Sequence, residues 1–231
     1  MIDSHGRKID YMRISITDRC NLRCQYCMPE EVPSIQHHEI LRFEEILEIC
    51  RHAVSLGITK FKVTGGEPLV RKGCLSFLRS LKNTPGVEQV TITTNGVLLK
   101  EYLPELESMG IDGINISLDT LNSDTYEKMT RRNEFAHVWD SIMAAQTSKI
   151  RTKINCVLLK GINDHEFFDL IHLAKDYPLD VRFIEIMPIG YGNGFEGFDK
   201  KDLLEKISEK YPDYEIEHKI PDNGPASYVR I

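Results

Sequence analysis

The sequence predicts an α/β fold in which six parallel strands and their helices form an open (β/α)6 partial TIM barrel. Three observations lead there. Short β-branched segments alternate with amphipathic helical segments, the pattern of a parallel sheet flanked by helices. Six such units are too few to close the eight-fold barrel. A chain of 231 residues, 41% hydrophobic and 28% charged, suffices for one sizeable core. A single domain over residues 1–231 is expected, with the barrel at about 9–211.

The elements follow in order. Ile9 to Thr17 alternates apolar and polar residues and reads as the first strand. Phe43 to Leu56 is a helix, with Phe43, Ile46, Leu47, Cys50, Ala53 and Val54 on one stripe and Gly57 as its stop. Thr59 to Thr64 is the second strand and runs into Gly65-Gly66-Glu67-Pro68. A helix from about Gly73 to Lys82 leads to the β-branched strand Val87 to Thr94. Leu98 to Met109 is helical and Gly110 ends it; Ile111 to Leu118 is the fourth strand. A helix over Phe135 to Ser148 precedes the fifth strand, Arg151 to Leu159. Asp164 caps a helix reaching about Asp176, Val181 to Met187 is the sixth strand, and Asp199 opens a last helix to about Tyr211.

The formal net charge of -6 disfavours bulk attraction to nucleic acid or to an anionic membrane. An anionic substrate therefore needs a local basic pocket. No run approaches the ~18 apolar residues of a membrane span, and the N-terminus shows no apolar signal region. Six cysteines in such a chain suit a reducing, cytoplasmic compartment.

Three of them carry the chemistry. Cys20, Cys24 and Cys27 are spaced C-x3-C-x2-C in the loop that leaves the first strand. Thiolates are soft ligands that suit iron–sulfur clusters and zinc. Structural zinc prefers four protein ligands, disulfide frameworks belong to small secreted chains, and chance core cysteines follow helix or strand periodicity. The pattern favours a three-cysteine iron–sulfur site, with one position left open for a reactant. Cys50, Cys74 and Cys156 read as small buried residues. Ligands in such α/β folds bind beyond the strand C-termini. The cysteine loop, Gly65-Gly66-Glu67-Pro68, Thr94-Asn95-Gly96 and Ser117-Leu118-Asp119 all fall there.

The motif, with Tyr26 before its third cysteine, resembles the signature of the radical S-adenosylmethionine (SAM) superfamily. Asp3-Ser4-His5-Gly6-Arg7, Arg13-Ile14-Ser15-Ile16-Thr17-Asp18-Arg19-Cys20 and Tyr26-Cys27-Met28-Pro29-Glu30-Glu31 resemble the GTP 3′,8-cyclase family of molybdenum cofactor biosynthesis. The likeness runs from near residue 3 to the C-terminus. It implies the same open barrel, a 4Fe-4S cluster held by Cys20, Cys24 and Cys27, and SAM on the fourth iron. By position it implies SAM contacts at Tyr26, Gly66, Ser117 and Met187, and GTP contacts at Arg13, Lys62, Thr93 and Lys153. Taken alone, Tyr26 and Met187 read as core residues, Ser117 as a turn former and Gly65-Gly66 as a tight turn. Glu67 either supports that turn or sits in solvent. Arg13, Lys62 and Lys153 would otherwise be ordinary charges on exposed strand faces. Lys62 departs from the family, which has arginine there; lysine keeps the charge but loses the bidentate fork.

The activity implied is a lyase reaction. The reduced cluster passes an electron to SAM, a 5′-deoxyadenosyl radical takes the ribose 3′ hydrogen of GTP, and the substrate radical closes onto C8. The product implied is (8S)-3′,8-cyclo-7,8-dihydroguanosine 5′-triphosphate. An electron donor such as flavodoxin or ferredoxin and a downstream cyclic pyranopterin monophosphate synthase are the implied partners, and a homodimer is compatible. The family's second, C-terminal cysteine triad has no counterpart, because no cysteine follows Cys156 and the match continues to Asn223-Gly224-Pro225-Ala226-Ser227-Tyr228-Val229-Arg230-Ile231. The expectation is a truncated chain lacking the second-cluster region. Alternatives are another radical SAM enzyme, such as a peptide-modifying one, a pseudoenzyme that keeps SAM binding, and a non-catalytic metal-binding module.

Overall fold

The structure is a computed structural model that describes residues 2, 4, 6–32, 35–217 and 226–231. Asp3, His5 and the stretch 223–225, on which parts of the family likeness rest, lie outside the described residues.

Six strands form one sheet: β1 (Tyr11–Ser15), β2 (Lys60–Thr64), β3 (Gln89–Thr94), β4 (Gly113–Ser117), β5 (Arg151–Val157) and β6 (Leu179–Ile184). They lie in chain order and every neighbouring pair is parallel. Among the described residues β6 does not pair with β1, so the sheet stays open as expected. The helices are α1 (Phe43–Ser55), α2 (Cys74–Lys82), α3 (Leu99–Ser108), α4 (Ser123–Thr130), α5 (Phe135–Gln146), α6 (Phe167–Asp176) and α7 (Lys200–Lys210).

The sheet has two chemically different faces because side chains alternate along each strand. Phe61, Val63, Val90, Ile92, Ile114, Ile116, Ile154 and Cys156 are buried and join the helices in one continuous hydrophobic cluster. Burying each large aliphatic side chain contributes about 1.5–3 kcal/mol, so this face holds the fold together. The alternate positions are mostly polar: Arg13, Lys62, Thr64, Thr93, Asn115, Ser117, Lys153, Asn155 and Arg182. This polar face is the concave side left open by the incomplete barrel. Cys50, Cys74 and Cys156 are free thiols in the core, as the sequence suggests.

Three features differ from the sequence reading. The last strand begins two residues earlier and ends at Ile184, so Glu185–Met187 lie beyond it. Helix α4 was not anticipated: it is short and carries few apolar residues, and the Asn122 side chain caps it by accepting from Thr125 N at 2.9 Å. A small antiparallel hairpin, β7 (Glu215–Glu217) with β8 (Tyr228–Arg230), follows α7.

Candidate active site

The cysteine loop is shaped by α4. The last carbonyls of a helix have no intrahelical partner. Here Thr130 O accepts from Arg23 N and Met129 O from Gln25 N, both at 2.9 Å. Lys128 O accepts from Gln25 Nε2 at 2.7 Å. Arg131, in the left-handed region at φ 56°, ends the helix and reaches back to Arg23 O at 3.1 Å. Arg23 in turn donates to Cys20 O and Leu22 O at 2.5 and 2.8 Å. Within the loop Cys24 O accepts from Cys27 N at 2.9 Å and Met28 N at 3.1 Å, a turn that brings the second and third cysteines to one side.

Burial pushes all three thiols upward. The Asp119 carboxylate adds to this at Cys24 and Cys27, and the sulfurs also oppose one another's ionisation. The three therefore sit within one another's field and ionise only against strong positive charge. Iron would supply that charge, because a coordinating thiol is deprotonated by the metal. Among the described residues no three His, Cys, Asp or Glu side chains converge on a single-ion position. A 4Fe-4S cluster does not require such convergence, since each thiolate binds a different iron. The donor set fits the cluster.

The Gly-Gly turn packs on the entrance to this loop. Gly66 N donates to Thr17 O at 2.6 Å and Glu67 N to Arg19 O at 2.8 Å. A Cβ on Gly66 would overlap Arg19 O and lie 2.7 Å from Asp18 O; one on Gly65 would lie 2.7 Å from Thr17 O. The glycines are thus required by the backbone leading to Cys20. Glu67 is 1% exposed, which removes the solvated-turn reading. Its Oε1 accepts from Leu69 N at 3.0 Å and Thr94 Oγ1 at 2.9 Å, and its Oε2 from Asn95 N at 2.6 Å. Glu67 clasps the end of β3 to the loop after β2.

Tyr26 and Ser117 meet beside Cys24. With Asn95, Asp119 and Thr120 they line a small cavity of about 30 Å³, the room of one water. The Tyr26 hydroxyl donates to Asp119 Oδ2 at 2.6 Å, and Asp119 Oδ1 accepts from Val157 N at 2.8 Å. Burial raises the Asp119 carboxyl to about 6, against the lowering effect of those two bonds. Met187 is 64% exposed beyond β6 and does not line this cavity. A larger open groove of about 580 Å³, lined by Glu185, Asp199, Lys200, Lys201 and Tyr214 among others, contains none of the expected site residues.

The four expected substrate residues share the concave face. Arg13 pairs in register with Lys62, and Thr93 pairs through Asn115 with Lys153. The Lys153 ammonium is buried, donates to Tyr228 OH at 2.6 Å and lies 3.5 Å from Asp180 Oδ2. Arg182 Nη2 reaches the same hydroxyl at 3.2 Å, which makes it a further cation of this face. Asn155 lies between Ser117 and Arg182 in register, and its Oδ1 is buried without a hydrogen-bond partner among the described residues. Sequence reasoning placed the Thr94-Asn95-Gly96 and Ser117-Leu118-Asp119 segments at the site without giving Asn95 or Asp119 a role, and it missed Asn155, Arg182 and Tyr228. Strand alternation through Lys153 was a usable signal for Asn155, and Arg182 stood out as a charge in an apolar strand.

The profile of the radical SAM superfamily matches residues 14–174. A GTP 3′,8-cyclase of Petrotoga mobilis is 50% identical over 240 residues, covering 100% of this chain and 72% of the relative. One from Peptoclostridium acidaminophilum is 44% identical over 233 residues, with the same coverages. Among solved structures, Streptococcus suis SuiB bound to S-adenosylmethionine superposes with a TM-score of 0.69 at 18% identity, covering 88% of this chain and 44% of that one. Methylornithine synthase gives 0.66 at 16% identity, over 87% and 60% of the two chains. At such identities these two report the shared barrel, and this chain spans less than two thirds of either. The superfamily match and the relatives at 41–50% identity agree with the cysteine loop and the open parallel sheet: the chain belongs to the radical SAM superfamily and, within it, to the GTP 3′,8-cyclase family.

Proposed function

We propose that this chain is a GTP 3′,8-cyclase, using a 4Fe-4S cluster and SAM to convert GTP to the 3′,8-cyclised nucleotide of molybdenum cofactor biosynthesis. The observation that carries the reading is the joint placement of three thiols at the end of β1 and a row of cations on the adjoining concave face. When bound, the cluster and SAM supply the one-electron chemistry that opens an unactivated C–H bond.

The chain's own residues do the rest. Cys20, Cys24 and Cys27 hold the cluster, on a loop braced by the carbonyl end of α4. Gly66 and Glu67 set the backbone that faces SAM, and Tyr26 and Ser117 line its inner wall. Asn155 offers a buried acceptor on the same side. Met187, exposed beyond β6, is assigned to the adenine by its place in the family pattern. Arg13, Lys62 and Lys153 neutralise the triphosphate, and Thr93 adds a hydroxyl. Lys62 does so as a point charge, also facing the Tyr11 ring at 5.9 Å. Partners in this reading are a one-electron donor such as flavodoxin or ferredoxin and the enzyme that next rearranges the cyclised nucleotide to cyclic pyranopterin monophosphate. No helix among the described residues is long and apolar enough to cross a membrane, and a reducing, cytoplasmic setting suits the thiols.

The test uses anaerobically reconstituted, dithionite-reduced protein with SAM, with and without GTP, quantifying 5′-deoxyadenosine and cyclised product. 5′-Deoxyadenosine is expected from this chain, which spans 72% of its relatives. Deoxyadenosine without cyclised product assigns GTP turnover to the part of the relatives that this chain does not span; cyclised product shows that the chain suffices; neither product, from protein with a full cluster, refutes SAM cleavage itself.

A further inference from the structure

The Thr94-Asn95-Gly96 turn, whose start Glu67 clasps, also places a side-chain amide against the first cysteine. Asn95 is 9% exposed. Its Nδ2 lies 2.7 Å from Asn21 Oδ1 and 3.7 Å from Cys20 Sγ. The orientation of the amide is set by its other end, because Oδ1 accepts from Val97 N at 3.1 Å. The group turned toward sulfur is therefore the NH2 and not the carbonyl. A second donor, Leu22 N, meets the same sulfur at 3.4 Å.

The support beneath Asn95 is stiff. Its backbone N–H is held by Glu67 Oε2 at 2.6 Å, and Gly96 N is held by Thr94 Oγ1 at 3.1 Å. A buried carboxylate, a strand end and a tight turn thus fix one amide at one sulfur. The turn uses the Asn95 carbonyl, and the NH2 has Asn21 Oδ1 as its nearer partner and Cys20 Sγ as its second.

From this geometry we infer that Asn95 is a positioning residue that tunes the cluster through an N–H···S contact to Cys20. The inference rests on the cluster assignment above. Hydrogen bonds to ligating sulfurs are among the determinants of iron–sulfur potentials. An N–H directed at a thiolate withdraws charge from it and favours the reduced cluster, whose extra electron makes the sulfurs more negative. Because Glu67 holds the Asn95 N–H, the amide also couples the first ligand to the turn that follows β2.

The experiment is an EPR-monitored redox titration of reconstituted protein without added SAM, with iron and sulfide determined on each sample. Asn95→Leu removes the donor without adding charge. Asn95→Asp removes it while keeping an acceptor for Val97 N. Both variants are expected to retain four irons and to titrate at a more negative potential than the parent. A shift in Asn95→Asp with none in Asn95→Leu assigns the effect to charge and overturns the inference, as does an unchanged potential in both. Loss of iron from both variants also overturns it, because a tuning amide is dispensable for ligation. Parent protein that binds no cluster overturns the cluster assignment itself, a failure distinct from these.

Discussion

Replacing Glu67 by glutamine tests the clasp on which the site is built. A glutamine offers one acceptor where the carboxylate offers two, and adds two donors. With its oxygen at the Oε1 position, the Asn95 N–H faces an NH2 group; with the amide turned round, the Leu69 N–H does. Either way one buried backbone donor is left unpaired, a loss of about 1–3 kcal/mol. The surviving bonds also lose the strength that charge gives them. Part of this is offset, since an amide is easier to bury than a carboxylate, and burial already pushes the Glu67 carboxyl upward. The net expectation is about 2 kcal/mol of destabilisation. Glu67→Ala leaves Leu69 N, Asn95 N and Thr94 Oγ1 without this partner and is expected to lose about 5 kcal/mol, a large part of the ~5–15 kcal/mol of a typical domain. Equilibrium urea unfolding, followed by circular dichroism and Trp139 fluorescence, is the assay. With a slope of ~2 kcal/mol/M the glutamine variant melts ~1 M earlier than the parent. A glutamine variant within ~0.2 M of the parent, or an alanine variant no worse than the glutamine one, refutes the clasp.

Three further predictions follow from the same contacts. Gly66→Ala forces a methyl into Arg19 O and Asp18 O, which are backbone and cannot swing aside; it is expected to cost about 1–3 kcal/mol and to lower cluster content on reconstitution, and a fully loaded variant of parental stability contradicts it. Asp119 is raised from 3.8 to about 6 by burial, so the folded state favours its protonated form. That stabilisation is complete below about pH 4 and is lost as pH rises to about 6, amounting to about 3 kcal/mol at ~1.4 kcal/mol per pH unit. Asp119→Asn is expected to flatten the stability profile of the metal-free chain across that window, and an unchanged profile counts against the assignment. Lys153→Met keeps the buried stem but removes the ammonium facing Tyr228 and Asp180; loss of one charged contact, about 2 kcal/mol, predicts ~30-fold weaker GTP binding by calorimetry, and affinity within threefold of the parent removes Lys153 from the triphosphate site.

How much of this was legible beforehand differs by element. The six strands and most helices were readable because their signal is local: Val90 and Ile92 alternate with Thr91 and Thr93, and the α1 stripe repeats at helical spacing. The end of β6 was misjudged because Glu185-Ile186-Met187 continues a strand-like pattern after pairing with β5 has stopped at Ile184. Helix α4 was missed because its value is tertiary: its carbonyl end is completed by Arg23 and Gln25, about a hundred residues away in the chain.

By itself the sequence determined the parallel α/β class, the three thiols at one strand end and the rows of charge, since each is carried by spacing along a few residues. Only the tertiary structure decided that Glu67 is a buried clasp, that Gly66 yields to the Arg19 backbone, that Asn95 turns its NH2 to Cys20, and that Arg182 and Tyr228 join Lys153. Those facts depend on which distant backbones meet. Hydrogen bonds act over about 3 Å, so they are settled by folding and not by neighbours in the chain.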